Sequence, residues 1–201
     1  MKKAFVSFST ILALALIAAA APKPGDTAPA FTATDSNGKT HSLSDFKGKY
    51  VVLEWTNSGC PFTAKHYDSG NMQKLQMEWT SKGVVWLSVL SSAPGKQGYK
   101  TAAEENAYLK QENASPTAVL MDPKGDLGHM FGAKTTPHMF VIDPSGKVIY
   151  AGAIDDKPTT DESDIAGAKN YLSAALGEAL AGRPVATAVT QPYGCSVKYA
   201  Q

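Results

Sequence analysis

Residues Tyr50–His66 read Y-V-V-L-E-W-T-N-S-G-C-P-F-T-A-K-H, and their reading decides the fold. The apolar, β-branched start, Val51-Val52-Leu53 with Trp55, is continuous rather than alternating, as expected of a strand buried on both faces. Asn57-Ser58-Gly59 breaks the strand, and Cys60 stands directly before Pro61. Proline suits the first position of a helix, where its missing N–H has no partner to lose. Tyr67, Leu75 and Trp79 continue a helical pattern that runs to about Ser81, before Gly83. Cys60 is thereby placed at a helix N-terminus, where unpaired N–H groups and the helix dipole favour thiolate over thiol. It is either a nucleophile or, on the plainer reading, a buried inert cysteine.

Upstream, two lysines and an apolar run from Ala4 to Ala21, ending in small residues, have the n-region, h-region and cleavage zone of an export signal, so residues 1–21 are set apart from the fold. An uncleaved membrane anchor competes with this reading, since the run is just long enough to span a bilayer. Pro22 disfavours cleavage directly after Ala21 and leaves Ala19 or Ala20. Phe31–Thr34 and Lys39–Ser42 flank Asp35-Ser36-Asn37-Gly38, the turn chemistry of a hairpin. Ser44 or Asp45 caps a turn of helix before Gly48.

Downstream, Val84–Leu90 reads as a second buried strand, Ser91–Lys100 as loop, Thr101–Glu112 as a helix with its charges outward, and Thr117–Met121 as a third strand stopped by Asp122-Pro123. A short helix around Leu127–Phe131, the turn Thr135-Thr136-Pro137, a strand Met139–Ile142, the turn Asp143–Gly146 and a strand Val148–Ala153 follow. Asp155–Asp161 is an acidic loop, Asp164–Leu180 a helix, and residues 182–201 an extended tail carrying Cys195. Strands alternating with helices imply an α/β domain over residues 22–181, with a mostly parallel sheet covered on both sides and closed by an antiparallel pair.

Hydrophobic residues make up 43% of the chain, enough for one sizeable core. A net charge of +1 with 18% charged residues gives no reason to expect nucleic acid or an anionic membrane as partner. Both cysteines, Cys60 and Cys195, lie beyond the leader, where an oxidising compartment permits them to pair.

The order of elements, with Gly25-Asp-Thr-Ala-Pro-Ala-Phe31, Leu43-Ser-Asp-Phe-Lys-Gly-Lys49, Cys60 at the strand-to-helix turn and Thr136-Pro137 before a strand, resembles the thioredoxin fold. It is similar to the redoxin form found in peroxiredoxin-like (AhpC/TSA-type) and periplasmic thioredoxin-like proteins, over about residues 23–181. The resemblance implies a central mixed β-sheet flanked by helices with an N-terminal hairpin, a cis Pro137, and Thr136 lying against the Cys60 sulfur. Two departures matter. Thioredoxins carry Cys-x-x-Cys, and here the second place is Thr63. Peroxiredoxins carry Thr-x-x-Cys and an arginine from a later strand, whereas this chain reads Cys60-Pro61-Phe62-Thr63 and its sole arginine is Arg183, after the last helix. Peroxidase chemistry then lacks the charge clamp its transition state requires. The pattern resembles the subgroup whose single motif cysteine aligns with the first thioredoxin cysteine.

Glu54 lies near where thioredoxins bury an acid that relays protons; it is either a proton acceptor of raised pKa or an edge glutamate with an exposed head. His66, nearly two helical turns after Cys60, is expected on an exposed face, with tuning of the thiolate as the alternative. His138 and Met139 adjoin Pro137, and with Cys60 and His66 would make a soft copper set. No ligand spacing on one element supports a metal, and neither metal nor cofactor is expected. Asp155, Asp156, Asp161, Glu162 and Asp164 lack the rhythm of a calcium loop and read as a solvated loop and helix cap. Peroxiredoxins often keep a resolving cysteine in a tail, so the resemblance implies a Cys60–Cys195 pair. A disulfide closing so long a loop would stabilise by roughly 5 kcal/mol in the entropy model, so a purely structural bond is the alternative.

The expected activity is thiol–disulfide oxidoreduction by an exported protein, periplasmic or secreted. Its partners would be protein thiols and disulfides or small thiols. Cys60 is the expected nucleophile and Cys195 the resolving cysteine, with Thr63, Thr136, Pro137 and Glu54 around them. The alternatives are a weak thiol peroxidase, and a non-enzymatic module that binds a peptide segment or copper along the Thr136-Pro137 groove. Membrane contact is expected only if the leader stays uncleaved.

Overall fold

Strand β3 (Val51–Trp55) is buried at every residue and sits in the middle of a five-stranded sheet, as its unbroken apolar run requires. The computed structural model describes residues 20–200, so all but the last two residues of the expected leader lie outside it. Among the described residues no helix is long and apolar enough to cross a membrane. β3 pairs in parallel with β4 (Val85–Leu90), which pairs in parallel with β5 (Ala118–Met121). On its other side β3 pairs antiparallel with β7 (His138–Ile142), which pairs antiparallel with β8 (Val148–Gly152). The sheet order is therefore β5-β4-β3-β7-β8. The expected hairpin forms from β1 (Thr32–Thr34) and β2 (Thr40–Ser42).

Two apolar layers cover the sheet. Val51, Leu53 and Trp55 face a cluster with Leu120, Phe131 and Phe140, and Val52 faces a second with Met72, Trp79, Trp86, Val141 and Leu172. Period-two alternation along β3 thus sends Glu54 into the second layer, among apolar neighbours. Among the described residues five α-helices flank the sheet: α1 (Pro61–Asp68), α2 (Asn71–Ser81), α3 (Ala102–Gln111), α4 (Asp126–Phe131) and α5 (Tyr171–Leu180).

Several expectations are corrected. The single helix expected from Pro61 to Ser81 is two, broken at Ser69-Gly70, where Gly70 adopts φ 74°. A left-handed residue of this kind is open to glycine and ends the first helix. The helix expected from Asp164 begins only at Tyr171, capped by Asn170, whose side chain accepts from the Ser173 N–H at 2.7 Å. Residues Glu162–Gly167 form a 3₁₀ turn instead. On α3, Glu105 is 2% exposed rather than outward, because Lys100 comes within 4.0 Å of it.

The tail is not free. Ala151 N–H donates to Ala188 O and Thr190 N–H to Ala151 O, so the chain first runs along β8. It then forms β9 (Cys195–Ser196), antiparallel to the two-residue strand β6 (Thr135–Thr136), and ends with the Tyr199 ring stacked on His129 at 4.0 Å.

Candidate active site

Cys60 is the N-cap of α1, with extended backbone (φ −93°, ψ 120°) and Pro61 at the first helical position, as its sequence context requires. The loop before it is held from within. Asn57 is fully buried and its Oδ1 accepts the Gly59 N–H at 2.8 Å, while its Nδ2 donates to Gln97 O at 3.1 Å. Lys100 reaches the Ser58 hydroxyl, and Gln97 donates to Gly59 O at 2.6 Å. The loop between β4 and α3 therefore sets the direction in which Cys60 points.

The Thr136–Pro137 peptide is cis, and Thr136 O accepts from the Cys60 thiol at 3.0 Å. Cys195, opposite Thr136 across the β6–β9 pairing, aims its backbone N–H at Cys60 Sγ at 3.4 Å. Both cysteines are free thiols. Three expected residues, Cys60, Thr136 and Cys195, thus meet at one point. Cys60 is 0% exposed, but part of what covers it is a tail strand rather than core.

Burial pushes the Cys60 thiol up, yet the Cys195 side chain, the polar Thr136 beside it and the N–H groups of Cys195 and Thr63 outweigh it and hold the pKa below the ordinary value. Cys195 moves the other way, to about 11, through burial, its hydrogen bond to Cys60 and the Cys60 charge. The pair therefore holds its first negative charge on Cys60. In a reduced sample, Cys60 alkylation by iodoacetamide should show a half-point below that of a free thiol near 8.5, and Cys195→Ala should move it upward. A half-point near 8.5 in the unsubstituted protein would remove the nucleophile assignment.

The Thr63 and Thr136 hydroxyls are both buried, and neither has a hydrogen-bond partner. Thr63 stands at the place where thioredoxins carry the second cysteine, and Thr136 directly precedes the cis proline.

Glu54 is fully buried, which excludes the exposed-head alternative. Its carboxyl accepts from Tyr67 OH at 2.9 Å, Trp86 Nε1 at 2.7 Å and Ser88 Oγ at 2.8 Å. Burial raises its pKa, and these donors offset only part of the rise. Its hydrogen bonds do not extend to Cys60, so the structure supports a buried acid beneath the site and shows no direct proton path from it to the sulfur.

His66, expected to be exposed, is 0% exposed. It faces Asp155 Oδ2 at 3.8 Å, Tyr193 OH at 3.4 Å and Asn71 Nδ2 at 2.8 Å. Asp155, expected in a solvated loop, is 2% exposed and accepts from Tyr193 OH at 2.5 Å. His138 points away from this cluster, its Nδ1 accepting the Lys134 N–H at 3.3 Å and its ring 4.6 Å from Phe140. The copper set is therefore not assembled, and no group of three or more His, Cys, Asp or Glu among the described residues is arranged to hold a metal. The sequence assigns Tyr193 no role and reads Asp155 only as part of a solvated loop and helix cap. The one signal for Tyr193 is its place two residues before Cys195, on the same side of an extended chain.

Burial lowers His66 to about 4, with Asp155 opposing and Lys65 adding to the shift, and lowers His138 to about 4, with Lys134 adding. A folded-state pKa below the unfolded value near 6.5 gives stability that is fully present above pH 6.5 and lost as pH falls through about 4. The largest effect is about 3 kcal/mol for each histidine. The stability advantage of the unsubstituted protein over His66→Gln should accordingly shrink by about that amount between pH 7 and pH 4 in urea titrations. A pH-independent difference would refute the assignment.

Arg183 is exposed and lines a groove with Tyr50, Asp143 and Lys147, at the end of β3 opposite Cys60. No arginine is close to the sulfur.

A family model described as the AhpC/TSA family matches residues 24–151. The thiol-disulfide oxidoreductase ResA of Bacillus thuringiensis subsp. konkukian is 31% identical over 126 residues, which are 62% of this chain and 66% of that protein, just under two thirds of its length. Among solved structures, a hypothetical protein from Sinorhizobium meliloti 1021 superposes with a TM-score of 0.74 at 20% identity, covering 90% of this chain and 96% of that one. The thioredoxin domain of a thiol-disulfide oxidoreductase from Bacteroides vulgatus superposes with a TM-score of 0.50 at 24% identity, covering 64% and 86%. These two structures carry the fold alone, and that fold is thioredoxin-like.

Proposed function

This chain belongs to the AhpC/TSA family, and on that premise we propose that it is an exported thiol–disulfide oxidoreductase with Cys60 as nucleophile and Cys195 as resolving cysteine. The observation that carries the reading is the Cys195 N–H aimed at Cys60 Sγ at 3.4 Å, with both thiols free and their pKa values pushed apart. The Cys60 thiolate forms a bond to one sulfur of a substrate disulfide, and the other sulfur leaves as a thiolate that takes a proton from solvent. Cys195 then loses its proton, attacks Cys60 Sγ and expels the first substrate sulfur. The dithiol ends as a disulfide and two electrons have passed to the substrate. A partner dithiol restores the reduced pair by the same exchange in reverse.

Equilibration in glutathione buffers, with free thiols read by mass spectrometry, tests the pair. A working disulfide is expected to be more oxidising than roughly −300 mV, with the domain still folded after reduction. A lower potential, or unfolding on reduction, would make the bond a structural staple and favour a binding module.

Peroxidase activity is expected to be weak. With Arg183 at the far end of the sheet, nothing on an adjacent strand stabilises charge on a departing peroxide oxygen, and loss of one such donor slows a reaction by about 10²–10³-fold. Stopped-flow hydrogen peroxide consumption as fast as that of an arginine-bearing peroxiredoxin, retained in Arg183→Ala, would restore the peroxidase reading.

A further inference from the structure

The tail does more than carry a cysteine. Alternate residues face the domain, as in a strand laid on a surface. The Tyr193 ring lies 6.0 Å from the Phe62 ring, and its hydroxyl donates to the buried Asp155 at 2.5 Å. Cys195 meets Cys60. Val197 is 9% exposed, belongs to the core cluster of Trp55 and Phe131, and donates its N–H to Lys134 O at 3.1 Å. Between the first two, Gly194 adopts φ 129° and lies so close to the Thr136 carbonyl that a Cβ would overlap it. Cys60 is closed beneath this strand, so a sulfur from another molecule reaches it only when the tail yields its place. The tail also leaves the buried Thr63 and Thr136 hydroxyls unpartnered, so it does not satisfy every polar group of the groove.

We propose that Tyr193–Val197 is a tethered stand-in for the substrate: the groove takes an extended polypeptide segment with an aromatic residue two positions before its reactive cysteine, a glycine directly before it, and an aliphatic residue two positions after. This rests on the thiol–disulfide reading above and names its substrate class. The segment adds a strand to the edge of β6, where main-chain hydrogen bonds give affinity and pockets for alternate side chains give specificity. The substrate cysteine is bonded to a second sulfur. Cys60 thiolate forms the new S–S bond, and the second sulfur leaves as thiolate and is protonated by solvent. The tail then returns, and Cys195, its proton lost to solvent, attacks Cys60 Sγ and releases the substrate cysteine reduced.

The full chain carrying Cys195→Ser stops at the first adduct and allows the test. The probe is the peptide Tyr-Gly-Cys-Ser-Val with its cysteine blocked as a pyridyl disulfide, so that each attack by Cys60 releases a coloured thione. Replacing the peptide's tyrosine or its glycine by alanine is expected to slow adduct formation at least tenfold each, with glutathione blocked in the same way slower still. Adding Tyr193→Ala to the protein empties the aromatic pocket of its tethered occupant and is expected to speed the parent peptide several-fold with circular dichroism unchanged. Equal rates for the three peptides, or a rate indifferent to Tyr193→Ala, would overturn this inference while leaving the oxidoreductase reading intact. No adduct with any peptide or with the blocked glutathione would overturn both.

Discussion

Replacing Cys60 by serine is expected to lower disulfide exchange to the uncatalysed rate, and Cys195→Ala is expected to leave the protein stalled as a mixed disulfide. A serine hydroxyl at the end of α1 keeps the shape of the site, so the fold should persist. It does not ionise near neutral pH, however, and the attacking species is the thiolate. The second substitution leaves Cys60 able to attack, and leaves the backbone N–H of residue 195 that lies 3.4 Å from its sulfur, but removes the thiol that would resolve the adduct. Adducts should then accumulate and be visible on non-reducing gels as species that Cys60→Ser does not form. Retained turnover in Cys60→Ser would remove Cys60 as the nucleophile, and no adduct in Cys195→Ala would transfer the case to a module that binds without exchange.

Glu54→Ala is expected to destabilise the domain by about 3–5 kcal/mol, more than any surface change. It would leave the hydroxyls of Tyr67 and Ser88 and the Trp86 indole N–H without their acceptor in a fully buried layer, and would open a cavity between α1, α2 and β4. Glu54→Gln retains the volume and one acceptor oxygen, and should cost about 1–2 kcal/mol. The two differ in pH dependence as well. Burial raises the Glu54 pKa, so the folded state holds a proton that the unfolded chain has released. The associated stability is fully present below the ordinary carboxylate range and is lost as pH rises through the folded-state pKa. Buried histidines act in the opposite sense over part of that range, so the quantity to measure is the difference between the unsubstituted protein and Glu54→Gln across pH 4 to 9. A flat difference would show that Glu54 is ionised throughout. If exchange activity in Glu54→Gln keeps the pH profile of the unsubstituted protein, Glu54 is a structural acid and not a source of protons.

Most of the framework was legible. The five residues of β3 appear as an unbroken apolar run because both faces are covered, and the Cys60-Pro61 pair announces a helix start because proline tolerates only a few backbone positions. The places where the reading failed share a cause. Ser69-Gly70 split a helix that the apolar spacing would have continued, since a left-handed glycine acts locally and leaves the periodicity on either side intact. Glu105 read as an outward charge because spacing along one helix does not say that Lys100 folds back over it.

The sequence by itself determined the strand–cysteine–proline–helix unit, the hairpin, the alternation of strands and helices and the Thr136-Pro137 turn. Each follows from bonds and sterics among residues a few positions apart. Only the tertiary structure decided the chemistry around the sulfur. Glu54 is an internal acid because the pleat of β3 turns it toward Trp86 and Tyr67, and His66 is buried because Asp155 and Tyr193 arrive from beyond β8. The tail becomes a strand over Cys60 because the open edge of β6 offers unpaired backbone groups that β9 satisfies. Its sequence carries too little apolar content to announce the pairing in advance, since the bonds that hold it are made by a backbone common to all residues and by one aromatic hydroxyl whose acceptor lies far away in the chain.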